Sequence, residues 1–239
     1  MSFERVRGLA VAVLAASGCA AQQFEVASVK PSGMPRVAGE GVGRQRVQVS
    51  PGGVTFSYTT LAHAILWAYD VRSYQVSGPE WIWQDRYEIE AKTEHRVTVE
   101  QLRMLMQGLL ADRFHLAVHR DSPLKPVYEL VAGKGGVKLR ESTEKAGMGV
   151  VDKDFLFMHV TMPEFAERLS DLAALDRPVL NATGIAGVYD VILPRAAWAT
   201  RDEPEPIFDA LGELGLELKA AKAPIEVILV DHAEKPTAN

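Results

Sequence analysis

The sequence repeats one order of predicted elements in its two halves, and this repeat limits the fold more than any other feature. Each half alternates hydrophobic and polar residues in the order strand, helix, strand, strand, helix, strand, strand. The segment Tyr87-Glu88-Ile89 has a counterpart in Tyr189-Asp190-Val191, 102 positions later, and Leu116 precedes Leu218 by the same distance. The pattern predicts an α+β fold of two repeated units, each with two helices on a small, mostly antiparallel sheet.

Changes in composition mark the boundaries of these units. Residues 1–21 are apolar after a basic start, whereas residues 134–149 are rich in Gly, Lys, Glu and Ser and have little periodic pattern. We interpret the first segment as an export signal and the second as a linker. The first unit then covers residues 24–133 and the second covers residues 150–239.

Capping residues mark the predicted helix starts. Thr60 precedes an apolar helical pattern, and Thr98 with Gln101 and Thr161 with Glu164 have the spacing of a capping box. The helix after Thr98 has one apolar stripe, formed by Leu102, Leu105, Met106, Leu109 and Leu110. Alternation predicts strands at residues 54–58, 74–76, 86–91, 114–119, 127–131, 155–160, 178–180, 188–193, 216–219 and 225–230.

The N-terminal segment has the features of an export signal. Arg5 and Arg7 precede the apolar run Gly8–Ala16, which is far shorter than the about 20 residues that cross a bilayer. Small residues permit cleavage after Ala21, while Ala16-Ser17-Gly18-Cys19 resembles a lipobox that lacks its usual leucine, in which Cys19 is lipidated. Both alternatives predict a periplasmic or extracellular protein, which contacts the membrane only through a lipid anchor at Cys19.

Composition excludes several classes of protein and site. A formal net charge of −5 does not suit a general nucleic-acid-binding protein, which neutralises phosphates with basic residues. The single cysteine excludes an intramolecular disulfide and a cysteine-rich zinc site. His115 and His119 lie in a predicted strand, where four residues separate them by roughly 13 Å, too far to share one ion. We expect no metal, no cofactor and no nucleic-acid partner.

Aromatic residues are concentrated in one stretch of the first half, namely Trp67, Tyr69, Tyr74, Trp81, Trp83 and Tyr87. If exposed, these rings suit a groove that binds a peptide, a glycan or a protein, because they offer large rigid surfaces with a polar group. If buried, they form the core of the first unit. Trp81 and Trp83 share one face if their segment is extended. We take Tyr69, Tyr74, Trp81 and Trp83 as candidate binding residues.

Arg113 is the fifth candidate binding residue. It either pairs with a carboxylate such as that of Glu88 or Glu90, or lines an anionic pocket.

No motif in the sequence identifies a catalytic site. Ser142-Thr143-Glu144-Lys145 matches the Ser-x-x-Lys of penicillin-recognising enzymes, but it lies in the linker without the partner motifs. A His-Glu-x-x-His zinc motif is absent. A hydrolase remains an alternative only if its site is assembled in space from scattered residues such as His63, Asp85, Arg113 and His232.

Several segments together resemble a known family. They are Phe24 to Ser32, Ala68-Tyr69, Gly78 to Trp81, Leu109 to Phe114, Leu180 to Asp190, and Asp231-His232 with Lys235-Pro236. This set resembles the Solibacter-type family of exported proteins of acidobacteria, which carries a domain of unknown function. A similar domain is fused behind bla-type sensor metallopeptidases of the membrane. The sequence departs from the family's Val-Asp-Lys-Thr-Gly at Leu180-Asn181-Ala182-Thr183-Gly184, where the acidic and basic pair is absent. The repeated unit also resembles the short N-terminal domain of secretins and TonB-dependent receptors, a docking module. Neither resemblance supplies catalytic residues.

These observations favour an exported, non-catalytic interaction or sensing module of the bacterial envelope. We expect its edge strands and aromatic residues to recruit an envelope protein or peptide, for example by strand addition. The alternatives are the scattered-residue hydrolase and a ligand sensor with a small pocket between the units.

Overall fold

The computed structural model describes residues 23–33, 45–143, 145, 147–151, 154–172, 175–194 and 205–236. The predicted export signal with Cys19, and Trp198, lie outside these ranges. The helices are α1 (Leu61–Tyr69), α2 (Trp81–Gln84), α3 (Val99–Phe114), α4 (Met162–Ser170) and α5 (Glu205–Glu213), with a 3₁₀ turn at Ser73–Gln75. The strands are β1 (Val26–Pro31), β2 (Arg46–Ser50), β3 (Gly53–Thr60), β4 (Val76–Ser77), β5 (Arg86–Lys92), β6 (Ala117–Asp121), β7 (Leu124–Ala132), β8 (Arg140–Glu141), β9 (Gly147–Val151), β10 (Asp154–Val160), β11 (Val179–Asn181), β12 (Tyr189–Leu193), β13 (Leu216–Pro224) and β14 (Val227–His232). The fold is α+β.

Two of the four sheets formed by the described residues are antiparallel and four-stranded. The first has the order β1-β5-β3-β2, and the second has the order β8-β12-β10-β9. The short strand β8 lies within the predicted linker. In the first sheet, β1 and β2 are the edge strands among the described residues.

The other two sheets are three-stranded and mixed. Their orders are β11-β7-β13 and β4-β14-β6, with the pairs β11–β7 and β14–β4 parallel. In the first of them, β7 comes from the first half of the chain and its neighbours come from the second. In the other, β14 comes from the second half and its neighbours come from the first. Each half therefore contributes its last strand to a sheet of the other half, while the predicted unit boundaries stay a prediction.

Three clusters of buried side chains form the cores. The first core lies between the first four-stranded sheet, α1 and α3, and it includes Ile228 from β14. The second core lies between the second four-stranded sheet, α4 and α5, and it includes Leu130 from β7. A small third core joins Val127 of β7 to Ile225 and Val227 at the C-terminal end. Both main cores therefore depend on a strand from the opposite half.

A similar bulge interrupts both four-stranded sheets just before a helix. Tyr58 has a φ of 53° and its backbone N–H donates to the Glu88 carboxylate at 2.9 Å. His159 has a φ of 54° and its N–H donates to the Asp190 carboxylate at 3.0 Å. Each carboxylate binds a backbone N–H that the irregular register removes from the ladder.

The predicted helix starts are confirmed. The side chains of Thr98 and Gln101 cap α3 reciprocally, and those of Thr161 and Glu164 cap α4 in the same way. The hydroxyl of Thr60 accepts from the third residue of α1. The apolar stripe of α3 is also confirmed, since all of its residues are buried: Leu102, Leu105, Met106, Leu109 and Leu110.

Three predicted segments differ from the structure. The strand predicted at residues 114–119 is wrong at its start, because α3 continues to Phe114 and His115 ends it in the left-handed conformation, with a φ of 48°. The strand at residues 74–76 is mostly the 3₁₀ turn. Trp81–Gln84 form a helical turn, so Trp81 and Trp83 are not on one face of an extended segment.

Candidate functional site

The candidate aromatic residues pack against two different cores. Tyr69, Trp81 and Trp83 are half-buried against the first core, whereas Tyr74 packs against the third core. The structure thus brings three of the four together on one core. Their role in binding stays a prediction.

The tyrosine hydroxyls are suited to hydrogen bonding and not to proton abstraction. Burial raises the pKa of Tyr69 and that of Tyr74. Burial, with a smaller contribution from the Asp85 carboxylate, raises the pKa of Tyr87 to about 12. All three hydroxyls are therefore protonated at neutral pH.

Trp81 and Trp83 contact polar groups at their outer faces. The Lys235 ammonium lies 5.7 Å from the centre of the Trp81 ring and 2.7 Å from the Asp85 carboxylate. The ring of Trp83 meets that of His63 edge-on at 6.1 Å. The contacts of Lys235 hold the C-terminal segment (residues 233–236) beside α2, and the backbone N–H of Glu234 also donates to the Phe114 carbonyl at 2.7 Å.

Arg113 lies in the last turn of α3 with about a third of its side chain exposed. Its Nε lies 3.1 Å from the Asp112 carboxylate without hydrogen-bond geometry. Arg113 thus pairs with a carboxylate, but with that of Asp112 and not with Glu88 or Glu90. Glu88 accepts from Tyr58 and Ser32, and Glu90 pairs with Lys92 at 2.7 Å. Arg113 also lines the wall of two cavities.

The residues of the alternative hydrolase each have a separate partner. His63 bonds Thr60 at 2.7 Å, Asp85 pairs with Lys235, and His232 bonds Glu234 at 3.0 Å. No hydrogen bond or ion pair joins any two of His63, Asp85, Arg113 and His232, all of which the structure describes. They do not form a nucleophile, base and orienting group in hydrogen-bonded contact.

Three cavities adjoin along β1, and we call them together the β1 groove. The first, of about 320 Å³, lies between Gln23–Ala27 and the outer side of α3. The second, of about 160 Å³, lies around Val29 and shares Asp112 and Arg113 with the first. The third, of about 370 Å³, lies beside Pro31 and shares Lys235 and Pro236 with the second. The first two cavities therefore follow β1 from Val26 to Val29, and the third lies at its end, where Arg86 and Tyr87 of β5 also line it.

The backbone of β1 offers hydrogen-bonding groups towards its unpaired side. The Ser32 N–H donates to the Arg86 carbonyl at 2.7 Å, and the register with β5 is unbroken from Val26 to Pro31. Because alternate residues of an antiparallel ladder point their backbone groups the same way, the amides of Ala27 and Val29 face away from β5. Within the described part of the chain, no strand pairs with β1 on that side.

The floor of the first cavity is apolar, while its walls include the polar residues Gln23, Glu25, Asp112 and Arg113. Leu105 and Leu109 form the floor, and they are 6% and 8% exposed. Gly108 lies between them, and a Cβ at this position meets no heavy atom within 4 Å. The missing side chain leaves room for a group that enters from outside.

Of the residues that line this groove, the sequence analysis singled out Arg113 as a binding residue, Asp85 in the alternative hydrolase site and Tyr87 in the aromatic stretch. Three of the segments that carry the family resemblance do meet here, namely Phe24 to Ser32, Leu109 to Phe114 and Lys235-Pro236. Their distance along the chain concealed their proximity. The exposed Gly108 within the apolar pattern of α3 was the local signal that could have indicated an opening.

Two further tests apply to the described residues alone. No group of three or more His, Cys, Asp or Glu residues among them is placed to hold a metal ion. Likewise, none of the helices in the described ranges is long and apolar enough to cross a membrane.

Comparison with known proteins identifies a family. The family model described as Protein of unknown function (DUF3738) matches residues 62–233, from the start of α1 to just beyond β14. No curated protein and no solved structure matches the chain. Since the matched region covers more than half of the sequence, the chain belongs to the DUF3738 family.

Proposed function

We propose that this protein is an exported, non-catalytic binding module of the bacterial envelope, which takes up an extended segment of a partner protein in the β1 groove by strand addition. The observation that carries the proposal is the β1 groove beside a strand edge, where no described residue accepts a hydrogen bond from the backbone amides of Ala27 and Val29. In strand addition, backbone hydrogen bonds supply affinity, and pockets for alternate side chains supply specificity.

The position of α3 supports this mode of binding. A strand added beside β1 extends the first sheet over the outer side of α3, where Leu105, Gly108 and Leu109 lie. Inward side chains of the added strand then cover apolar surface, and outward ones face solvent. Pro31, which has no N–H, and the C-terminal segment limit the pairing to a short stretch.

Location in the envelope rests on the sequence. Arg5 and Arg7 before the apolar run Gly8–Ala16 favour export to the periplasm or the cell exterior, with a lipid anchor at Cys19 as the alternative to cleavage after Ala21. Detection of a lipid on Cys19 by mass spectrometry of the membrane fraction separates the two.

We also infer that the two halves are copies of one unit that exchange their last strands. The sheet orders β1-β5-β3-β2 and β8-β12-β10-β9 correspond strand by strand, as do β4-β14-β6 and β11-β7-β13. The bulges at Tyr58 and His159, each bonded to a carboxylate, support the same correspondence.

Selection from a library of random octapeptides displayed on phage tests the binding function. We expect the purified protein to enrich peptides that a Gly108→Phe variant no longer binds, because the new ring fills the first cavity. Gly212→Phe is the matched control, since Gly212 lies on α5, has equally open space at its Cβ position and lines none of the described cavities.

Amide exchange measured by NMR distinguishes strand addition from other binding. A bound peptide should slow exchange at Ala27 and Val29, while Ser28 and Lys30 already face β5. Enriched peptides that bind both glycine variants equally, or that leave the Ala27 and Val29 amides unprotected, contradict the proposal.

A further inference from the structure

We propose that the β1 groove selects a segment with an apolar residue and an acidic residue two positions apart. This inference rests on the proposed function and assigns the chemical class of its partner. The observation behind it is that Arg113 follows the apolar floor, formed by Leu105, Gly108 and Leu109, on the same side of α3.

The apolar position is given by the first cavity. Leu105 and Leu109 retain little exposed surface, and Gly108 presents no side chain between them. An aliphatic or aromatic side chain from the added strand therefore packs on Leu105 and Leu109, while Asp112 and Arg113 line the same cavity further along α3. A charged side chain directly over the two leucines is disfavoured, because it loses water without gaining a partner there.

The acidic position is given by Arg113, at the junction of the first and second cavities. Its Nε is buried without a hydrogen bond, and within the described residues no group accepts a hydrogen bond from its guanidinium. Its closest contact with Asp112 is through Nε at 3.1 Å, and an arginine presents two further nitrogens to a carboxylate. The second cavity is lined by Lys235 and His115 as well as by the acidic residues Asp112 and Glu234. The surroundings of the Arg113 guanidinium are therefore not purely acidic.

The spacing follows from helix and strand geometry. Arg113 is four residues after Leu109, which is about 6 Å along a helix at 1.5 Å per residue. Two residues of a strand span about 6.6 Å, and their side chains point to the same face. β1 follows the direction of α3 here, since residues 23–27 line the first cavity with Leu105 and Leu109, and Val29 lines the second with Arg113. A strand added alongside β1 that places an apolar side chain over Gly108 and Leu109 therefore places the side chain two positions away at Arg113. This holds for either strand direction.

Peptides recovered from the octapeptide selection, synthesised with blocked ends, test the inference. We expect an aspartate or glutamate two positions from an apolar residue in the enriched sequences. Replacing that acid by its amide should weaken binding about tenfold, the loss typical of one charge-assisted pair. Blocked ends remove the terminal carboxylate as a competing source of negative charge.

The matched protein variants are Arg113→Gln and Arg168→Gln. Both arginines lie in the last turn of a helix, so both variants lose the same interaction with the helix dipole. We expect only Arg113→Gln to bind the acidic peptide more weakly than the unaltered protein does. This variant should bind the acidic and amide peptides with equal affinity. Thermal melts establish that both variants are folded.

The outcomes separate this inference from the proposed function. Enriched peptides that lack the acid, or equal affinity of Arg113→Gln and the unaltered protein for the acidic peptide, overturn the inference while the Gly108→Phe result still supports the groove. An absence of enriched peptides overturns both.

Discussion

The exchange of β7 and β14 predicts that the two main cores unfold together. Ile228 belongs to the last strand of the chain but is fully buried in the first core, and Leu130 belongs to the first half but is fully buried in the second core. Loss of either core therefore removes a strand and a buried side chain from the other. A mutation in one core should destabilise both.

The magnitude follows from the carbon atoms removed. Leu130→Ala and Ile228→Ala each delete three buried carbons, worth about 2.4 kcal/mol at about 0.8 kcal/mol each. The cavity left behind raises the cost to about 3–4 kcal/mol of the free energy of unfolding. For a chain of this size the midpoint of thermal unfolding should fall by about 6–16 °C.

The assay follows the first core by tryptophan fluorescence. In a Trp198→Phe background the remaining tryptophans, Trp67, Trp81 and Trp83, all pack against the first core. We expect Leu130→Ala, in the second core, to shift this fluorescence transition as far as it shifts the circular dichroism transition. Leu124→Ala on the same strand is the control, because Leu124 is 71% exposed and its truncation should change the midpoint little.

Separate unfolding of the two cores contradicts this coupling. If Leu130→Ala leaves the fluorescence transition in place while circular dichroism shows two steps, then the halves unfold independently and the exchanged strands do not couple them.

Three further predictions concern single residues. Gly108→Ala should stabilise the protein by about 0.5–1 kcal/mol in urea unfolding, because the helix loses a glycine and the new methyl meets no atom; a loss of stability contradicts the open floor. Thr161→Ala should lower the free energy of unfolding, measured in urea, by about 1 kcal/mol, because the Thr161 hydroxyl caps α4. Thr161→Ser should retain most of this stability. Burial and the charge of Arg86 lower the pKa of His63 from 6.5, so the unfolded chain binds a proton that the folded protein does not. Stability should therefore fall below about pH 6.5 relative to His63→Gln in thermal melts; parallel pH profiles contradict this.

Local patterns predicted most helices and strands of the fold. The capping boxes at Thr98 and Thr161 and the apolar stripe of α3 act over a few residues, so the sequence displays them directly. The wrong predictions at His115 and at Trp81–Gln84 concern short segments, but their cause is tertiary packing. Phe114 and Ile82 are fully buried in the first core, and this packing decides the conformation of short segments whose own preference is weak.

The candidate site was predictable only in part. In the sequence Arg113 was noticed because it lies between Asp112 and Phe114, and the aromatic residues were noticed because they are concentrated in one stretch. The groove was not noticed, because its walls come from the start of β1, the outer side of α3 and residues 234–236.

The amino-acid sequence alone specifies most of the helices and strands and the buried face of each, and it indicates a repeated order of elements, which stays a prediction. The pairing of β7 and β14 across the halves, and the position of β1 at a sheet edge among the described residues, depend on tertiary contacts. Alternation along a strand specifies its buried face but leaves its neighbour open. Neighbours are chosen by contacts between residues far apart in the chain, such as Val118 with Val230.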